Sequence, residues 1–88
     1  MNESELETAH AHSTLHKPEI LWSQICGCFY CGSTFEPVDI LEWIDDDQTA
    51  LCPRCHIDAV IGDRSGIEIT KDFLTEMHNY WFTETKDI

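Results

Sequence analysis

Apolar positions at three- and four-residue steps predict one clear helix near the end of the chain. Its apolar face, in a helix from residue 70 to about residue 82, comprises Phe73, Leu74, Met77, Tyr80 and Trp81. Thr70 is a suitable N-cap, and Asp72 lies in the first turn, where the helix dipole favours a negative charge. We expect this face to pack on the rest of the domain.

Alternation of apolar and polar positions predicts a β-hairpin in the middle of the chain. Residues 38–44 form its first strand, residues 45–48 a turn, and residues 49–51 a second strand that leads into Cys52. The alternation is imperfect, and a short helical turn after Pro37 is the alternative. Further on, the pattern predicts two short apolar elements, a strand or helical start over residues 57–62 and a strand over residues 67–69.

Polar residues dominate the first 17 positions. Ser4 and Glu7 fit a helix capping box, but only Leu6, Ala9 and Leu15 could face a core. We therefore expect residues 1–17 to form a polar tail or arm and residues 18–88 to form a single domain. Pro suits the first turn of a helix, so the segment that starts at position 18 predicts either a short helix or an extended arm.

A chain of 88 residues has room for one small domain. Domains of this size usually need a metal or disulfides as a staple. The hydrophobic content of 42% is normal for a globular domain. The N-terminus has no apolar core of a signal peptide, and no apolar run approaches the length of a membrane span. We expect a cytoplasmic protein, in which cysteines stay reduced.

Two Cys-x-x-Cys pairs carry the candidate chemistry: Cys28 with Cys31, and Cys52 with Cys55. Two thiolates on a tight turn can occupy two corners of a tetrahedron, and a second pair supplies the other corners at about 2.3 Å from the metal. The spacing is typical of a structural zinc site, and an iron–sulfur cluster is the alternative. Four thiolates would close the coordination shell, so we expect Zn²⁺ to stabilise the fold and not to catalyse a reaction.

Cys26 and His56 are the residues that could change this assignment. Cys26 could replace Cys28 as a ligand, although we expect it to be a half-buried thiol beside the site. His56 directly follows Cys55 and is expected at the surface or beside the ligands. A metal-dependent hydrolase or a redox protein that uses Cys26 is the enzymatic alternative. We expect no catalysis, because the chain lacks the general-base glutamate of zinc deaminases and any fixed acid–base set.

The charge balance decides between classes of partner. Seventeen acidic and five basic residues give a net charge of -12, and such a field repels nucleic acid and anionic lipid. We expect a protein partner with a basic surface, and no direct contact with nucleic acid or membrane. An inhibitor or immunity-type protein that acts on a nucleic-acid-binding protein is a specific form of this hypothesis, and a homodimer is a further alternative. Tryptophans commonly anchor interfaces, and the candidate partner-binding residues are Trp22, Trp43, Asp45, Asp46 and Asp47.

The segment from Cys28 to Phe82 resembles small bacterial cytoplasmic proteins of the zinc-ribbon type. The resemblance rests on the motif CFYC, the stretch FEPVDILEWIDDDQTALCPRC, the stretch IDAVIGDRSG and the aromatic ending MHNYWF. It implies a small α+β zinc-binding domain of the zinc-ribbon or knuckle-hairpin type, with a C-terminal amphipathic helix and the four paired cysteines as ligands. A treble clef, in which Cys52 and Cys55 begin a short helix, is the alternative. His56 stands where such ribbons often have glycine.

Overall fold

The computed structural model describes residues 2–82, which form a small α+β fold. The helices are α1 (Glu3–Ala11), α2 (Lys17–Leu21) and α3 (Lys71–Phe82). The strands are β1 (Cys26–Cys28), β2 (Thr34–Phe35), β3 (Trp43–Ile44), β4 (Thr49–Ala50) and β5 (Val60–Gly62). The antiparallel sheet β2-β1-β5 has β1 at its centre, and β3 and β4 form a separate hairpin.

Helix α3 confirms the prediction from helical periodicity. The Phe73 N–H donates to the Thr70 hydroxyl at 3.1 Å, so Thr70 caps the helix as expected. Phe73, Leu74 and Met77 are buried on its inner face. Helix α3 has 12 residues. No helix within residues 2–82 is long and apolar enough to cross a membrane.

Two glycines let other elements approach both faces of the three-stranded sheet. A methyl group on Gly27 of β1 would collide with Ile69 and Leu74, which lie against that face. Gly62 of β5 pairs with Cys26, the neighbour of Gly27, and therefore points to the opposite face. A methyl group there would collide with Ser23, which follows α2. The sheet is thus covered on both sides, and every residue of β1 and β5 is buried.

The capping box of helix α1 lies two residues before the predicted one. The Glu5 N–H donates to the Asn2 side chain at 2.8 Å, and the Asn2 N–H donates to the Glu5 carboxylate at 3.0 Å. The prediction of a box at Ser4 and Glu7 is wrong, because the helix starts earlier and Asn2 caps it, with Glu5 as the reciprocal partner.

Helix α1 packs against α3 and contributes to the core. Leu6 and Ala9 are buried, the Trp81 indole N–H donates to the Leu6 carbonyl at 3.4 Å, and the Tyr80 hydroxyl donates to a Glu7 side-chain oxygen at 2.7 Å. Burial of one leucine side chain contributes about 2 kcal/mol, and a helix this short needs tertiary packing to be stable in water. The third expected core position is the exception, since Leu15 is 66% exposed.

The central hairpin is shorter than predicted. A 3₁₀ turn over Pro37–Asp39 replaces the start of the first strand. The Glu36 N–H donates to the Asp39 carboxylate at 3.0 Å, and the Ile40 N–H donates to the Pro37 carbonyl at 3.1 Å. These bonds use the groups that a strand would need for its ladder, so the alternative of a helical turn after Pro37 is confirmed. The strand predicted over residues 67–69 is absent from both sheets.

A buried histidine fastens the segment after α1 to β4. The His16 ring is 4% exposed, its Nδ1 lies 2.6 Å from the His12 carbonyl oxygen, and its Nε2 accepts from the Ala50 N–H at 3.0 Å. This arrangement requires a neutral ring that carries its proton on Nδ1. Burial lowers the pKa of His16, against the opposing effects of the His12 hydrogen bond and the Glu19 carboxylate.

We expect His16→Ala to lower the free energy of unfolding by about 2–4 kcal/mol, because a cavity forms and the Ala50 N–H loses its acceptor. His16→Gln keeps an acceptor and should lose less. Because the pKa of His16 is lowered in the fold from 6.5, the unfolded chain takes up the proton first as the pH falls. Its contribution to stability is therefore complete above pH 6.5 and declines below it.

Urea unfolding of the metal-loaded protein between about pH 5.5 and pH 7.5 measures this effect. The wild type should lose more stability on acidification than His16→Gln, whose side chain does not titrate. The same pH dependence in both proteins would show that His16 does not control it.

Candidate metal centre

Two loops of similar backbone geometry carry the four paired cysteines. The first loop ends with Gly32, whose N–H donates to the Cys28 carbonyl at 2.8 Å. The second ends with His56, whose N–H donates to the Cys52 carbonyl at 2.9 Å. Gly32 and His56 both have a left-handed backbone, with φ of 82° and 66°. Each loop therefore turns back tightly after its second cysteine.

Different parts of the fold deliver the two loops. The first loop continues β1, and its Phe29 N–H donates to the Ala59 carbonyl at 3.0 Å. The second loop follows β4, where the Leu51 N–H donates to the Glu42 carbonyl at 3.0 Å. The three-stranded sheet and the hairpin thus each present one pair of thiols.

The four sulfur atoms lie within 4.8 Å of one another and could hold a metal ion. The Cys28 and Cys55 sulfurs are 3.6 Å apart, and the Cys31 and Cys52 sulfurs are 3.7 Å apart. A tetrahedral ion with four thiolates at about 2.3 Å separates its sulfurs by about 3.8 Å, so the spacing fits one ion. Both measured distances join the two loops, which means that a bound ion would cross-link them.

The four thiols differ in exposure and acidity. Cys28 and Cys52 are buried, Cys55 is half-buried and Cys31 is exposed. Burial raises the pKa of Cys28 above its ordinary range and raises the pKa of Cys55 to about 11. At Cys31 partial burial acts in the same direction, but hydrogen bonds with Ser33 and the neighbouring thiols lower the pKa to about 7. Of these three thiols, Cys31 therefore ionises first, and it lies at the exposed side of the cluster.

Metal binding at this cluster is linked to proton release. All four donors must be thiolates in the complex, whereas burial favours the neutral thiol at Cys28 and Cys55 before an ion binds. The affinity for metal therefore falls as the pH falls. With four protein donors the tetrahedral shell is complete, which is the arrangement of a structural site.

Cys26 lies outside the cluster, although it shares a face of β1 with Cys28. Two residues along a strand are about 6.8 Å apart, and Cys26 pairs with Gly62 and Phe35 in the interior. It is fully buried and not half-buried as expected. Burial, with a smaller effect of the Asp63 carboxylate, raises the pKa of Cys26 to about 12. A nucleophilic thiol needs a lowered pKa, so this position does not suit thiol chemistry.

The candidate partner-binding residues lie in two places. Trp43 shares the β3–β4 hairpin with the aspartates at positions 45–47, whose φ values of 56°, 59° and 66° place all three in the left-handed region. The Lys17 ammonium lies 5.3 Å from the centre of the Trp43 ring and covers part of it. Trp22 lies at the end of α2 and is 75% exposed.

Val38 and Leu41, which belong to the strand predicted over residues 38–44, are surface residues. They are 80% and 79% exposed. Leu41 lines a depression of about 230 Å³ beside the second cysteine loop, together with Leu51 and Pro53. Pro37 with an acidic residue two positions later is the signal that could have identified the turn, and hence the exposure.

None of the protein-family models, curated proteins and solved structures with which the chain was compared matches it. The resemblance to zinc-ribbon-type proteins therefore remains a prediction from the sequence stretches that carry it. The close approach of the four sulfurs is a property of the fold and does not depend on that resemblance.

We expect about one metal ion per purified chain, and loss of the ion and of the fold in Cys52→Ser. Structural zinc contributes about 10–16 kcal/mol in small zinc peptides, which exceeds the stability of most small domains, about 5–15 kcal/mol. Elemental analysis and circular dichroism, with and without a chelator, measure both. Cys26→Ala is the control and should keep its metal; metal retained by Cys52→Ser or lost by Cys26→Ala would contradict this ligand set.

We expect His56→Gly to raise the free energy of unfolding by about 1 kcal/mol, since glycine adopts the left-handed backbone without strain. Gly32→Ala should lower it by a similar amount, because nothing lies within 4 Å of the added methyl group and only backbone strain remains. Thermal unfolding of the metal-loaded proteins should show shifts of about 4–8 °C in opposite directions. Destabilisation by His56→Gly would instead indicate that the contact of His56 with Glu42, at 3.2 Å, matters more.

Proposed function

We propose that this chain is a cytoplasmic zinc-stabilised module that binds a basic surface of a partner protein. The observation that carries the proposal is the position of an acidic segment, residues 36–47, beside the four-thiol cluster. The zinc ion would hold the segment in place, and the segment would supply the binding surface. The protein is not an enzyme in this proposal.

The donor set supports zinc as the ion. Four thiolates suit both zinc and an iron–sulfur cluster, but sulfurs within 4.8 Å of one another fit a single ion and leave no room for a cluster of several iron and sulfide ions. The loops also support the zinc-ribbon type over the treble clef. Residues 52–55 form a turn, and no helix begins there in the described part of the chain.

The acidic segment supports a basic partner. It contains six carboxylates and no Lys, Arg or His, and its acidic residues are Glu36, Asp39, Glu42, Asp45, Asp46 and Asp47. Val38 and Leu41 project from it with about four-fifths of their surface exposed. Apolar side chains among like charges fit a protein surface that is both basic and partly apolar. The same field would repel nucleic acid.

The cluster and the acidic segment are structurally connected. Glu42 is hydrogen-bonded through its carbonyl to Leu51, the residue before Cys52. Leu41 lies against the same loop. Loss of the ion would release the second cysteine loop and with it the shape of the acidic segment. Partner binding should therefore require the metal, although the metal itself makes no contact with the partner.

An inhibitor or immunity-type protein is the specific form of this proposal. Proteins that act on nucleic acid carry basic channels, and an acidic protein of 88 residues with a net charge of -12 can occupy such a channel. Long-range attraction would speed association. The same net charge opposes self-association, which makes the homodimer the weaker alternative.

Affinity capture with the zinc-loaded chain, followed by binding measurements on the captured partner, tests the proposal. We expect Val38→Ser with Leu41→Ser to weaken binding tenfold or more, because about 2 kcal/mol of apolar contact is lost. Both residues are exposed, so stability should change little. The matched control is Leu15→Ser with Leu21→Ser, which removes two exposed leucines outside the segment.

Higher ionic strength should weaken the wild-type complex, since screening reduces attraction between exposed charges. Equal losses in the test and control variants, a salt-independent affinity, or capture of nucleic acid without protein would each contradict the proposal.

A further inference from the structure

A groove lies on the protein surface between α1 and α3. It has a volume of about 550 Å³, and residues 66–68 with Thr70 complete its wall. Its floor is apolar, because the buried side chains of Ala9 and Phe73 and the half-buried Ile67 line it. None of its lining residues belongs to the four-thiol cluster or to the acidic segment. Its volume lies in the range of protein ligand sites, about 300–1,000 Å³.

Four carboxylates from three parts of the fold surround the apolar floor: Glu5 of α1, Glu68 of the connecting segment, and Asp72 and Glu76 of α3. None of the described residues that line the groove is Lys, Arg or His. Two of these carboxylates stabilise the start of a helix, since Glu5 belongs to the capping box of α1 and Asp72 lies in the first turn of α3. Glu68 is exposed and has no such role.

The spacing of the carboxylates does not suit a divalent cation. Such an ion needs several oxygen ligands at about 2.0–2.6 Å. Within residues 2–82, only the four thiols bring three or more potential ligand atoms within 4.8 Å of one another. Carboxylates that are spread around an apolar floor instead fit a ligand that carries its positive charge on an apolar stem.

We propose that the groove binds an arginine side chain, with its neighbouring residues, from a segment of a basic partner protein. The methylene stem would lie on Ile67 and Phe73, as long cationic side chains cover apolar surface while their charged ends stay polar. The guanidinium has five N–H donors, which can reach carboxylates on more than one element. The hydroxyls of Ser4 and Thr8, which also line the groove, would accept further hydrogen bonds.

A second copy of this chain is a poor occupant, because two chains that each carry a net charge of -12 repel one another. This inference takes the basic character of the partner from the proposed function, but it rests on a different surface. The two can therefore fail independently.

Titration of the zinc-loaded, ¹⁵N-labelled chain with a capped Arg-Leu-Arg peptide, followed by NMR, tests the groove. We expect saturable shifts at residues 4–9 and 66–76. Glu68→Gln with Asp72→Asn should weaken binding about 5- to 10-fold, as the loss of two exposed charge contacts predicts. Glu19→Gln with Asp58→Asn, which lie outside both the groove and the acidic segment, changes the net charge equally and should leave the peptide affinity unchanged.

A second peptide, in which citrulline replaces arginine, keeps the shape without the charge and should not bind. Shifts spread over the whole acidic surface, or an equal loss in both double variants, would overturn the inference. Shifts confined to residues 36–47 would overturn it while leaving the proposed function intact. Binding of spermine in the groove without binding of the peptide would also overturn it, since the groove would then hold a small polyamine.

Discussion

The approach of four thiols from two distant loops is the constraint around which this small fold is arranged. The distance between the Cys28 and Cys55 sulfurs, 3.6 Å, and that between the Cys31 and Cys52 sulfurs, 3.7 Å, each join one loop to the other. An ion bound at this point would link the three-stranded sheet to the β3–β4 hairpin, which are separate sheets. In a fold whose strands are this short, such a link would take the place of a larger apolar interior.

The N-terminal segment is joined to this framework by a second, metal-independent set of contacts. Leu6 and Ala9 extend the apolar core below α3, and His16 connects the end of the segment to Ala50 of β4. The His16 ring accepts one hydrogen bond and donates another only when it is neutral. The hairpin is therefore held from two sides, by the second cysteine loop and by a histidine whose protonation would break one of its bonds.

Each of the two acidic surfaces depends on one of these sets of contacts. The segment of residues 36–47 lies beside the second cysteine loop, whereas the groove between α1 and α3 depends on the packing of Leu6 and Ala9. The two surfaces combine carboxylates with apolar side chains, a combination that costs repulsion between like charges in the free protein. A basic partner would relieve that repulsion at either place.

Local patterns determined those features whose causes lie within a few residues of one another. The helical period and the Thr70 cap identified α3, and the two Cys-x-x-Cys pairs identified the thiols that the fold brings together. Other features were decided by competition between local and tertiary interactions. Residues 38–44 alternate like a strand, but the capped turn at Pro37 takes the hydrogen bonds of its first half.

Tertiary structure alone decided which residues are buried. The spacing predicted a half-buried Cys26 beside the site, and only its pairing with Gly62 places it fully in the interior, away from the cluster. The sparse apolar residues of the first 17 positions predicted little packing, yet α3 offers Leu6 and Ala9 a surface that no local pattern contains. Val38 and Leu41 are exposed for the converse reason, because no element of the described fold covers them. Burial depends on what lies opposite a side chain, and that partner is usually distant in the sequence.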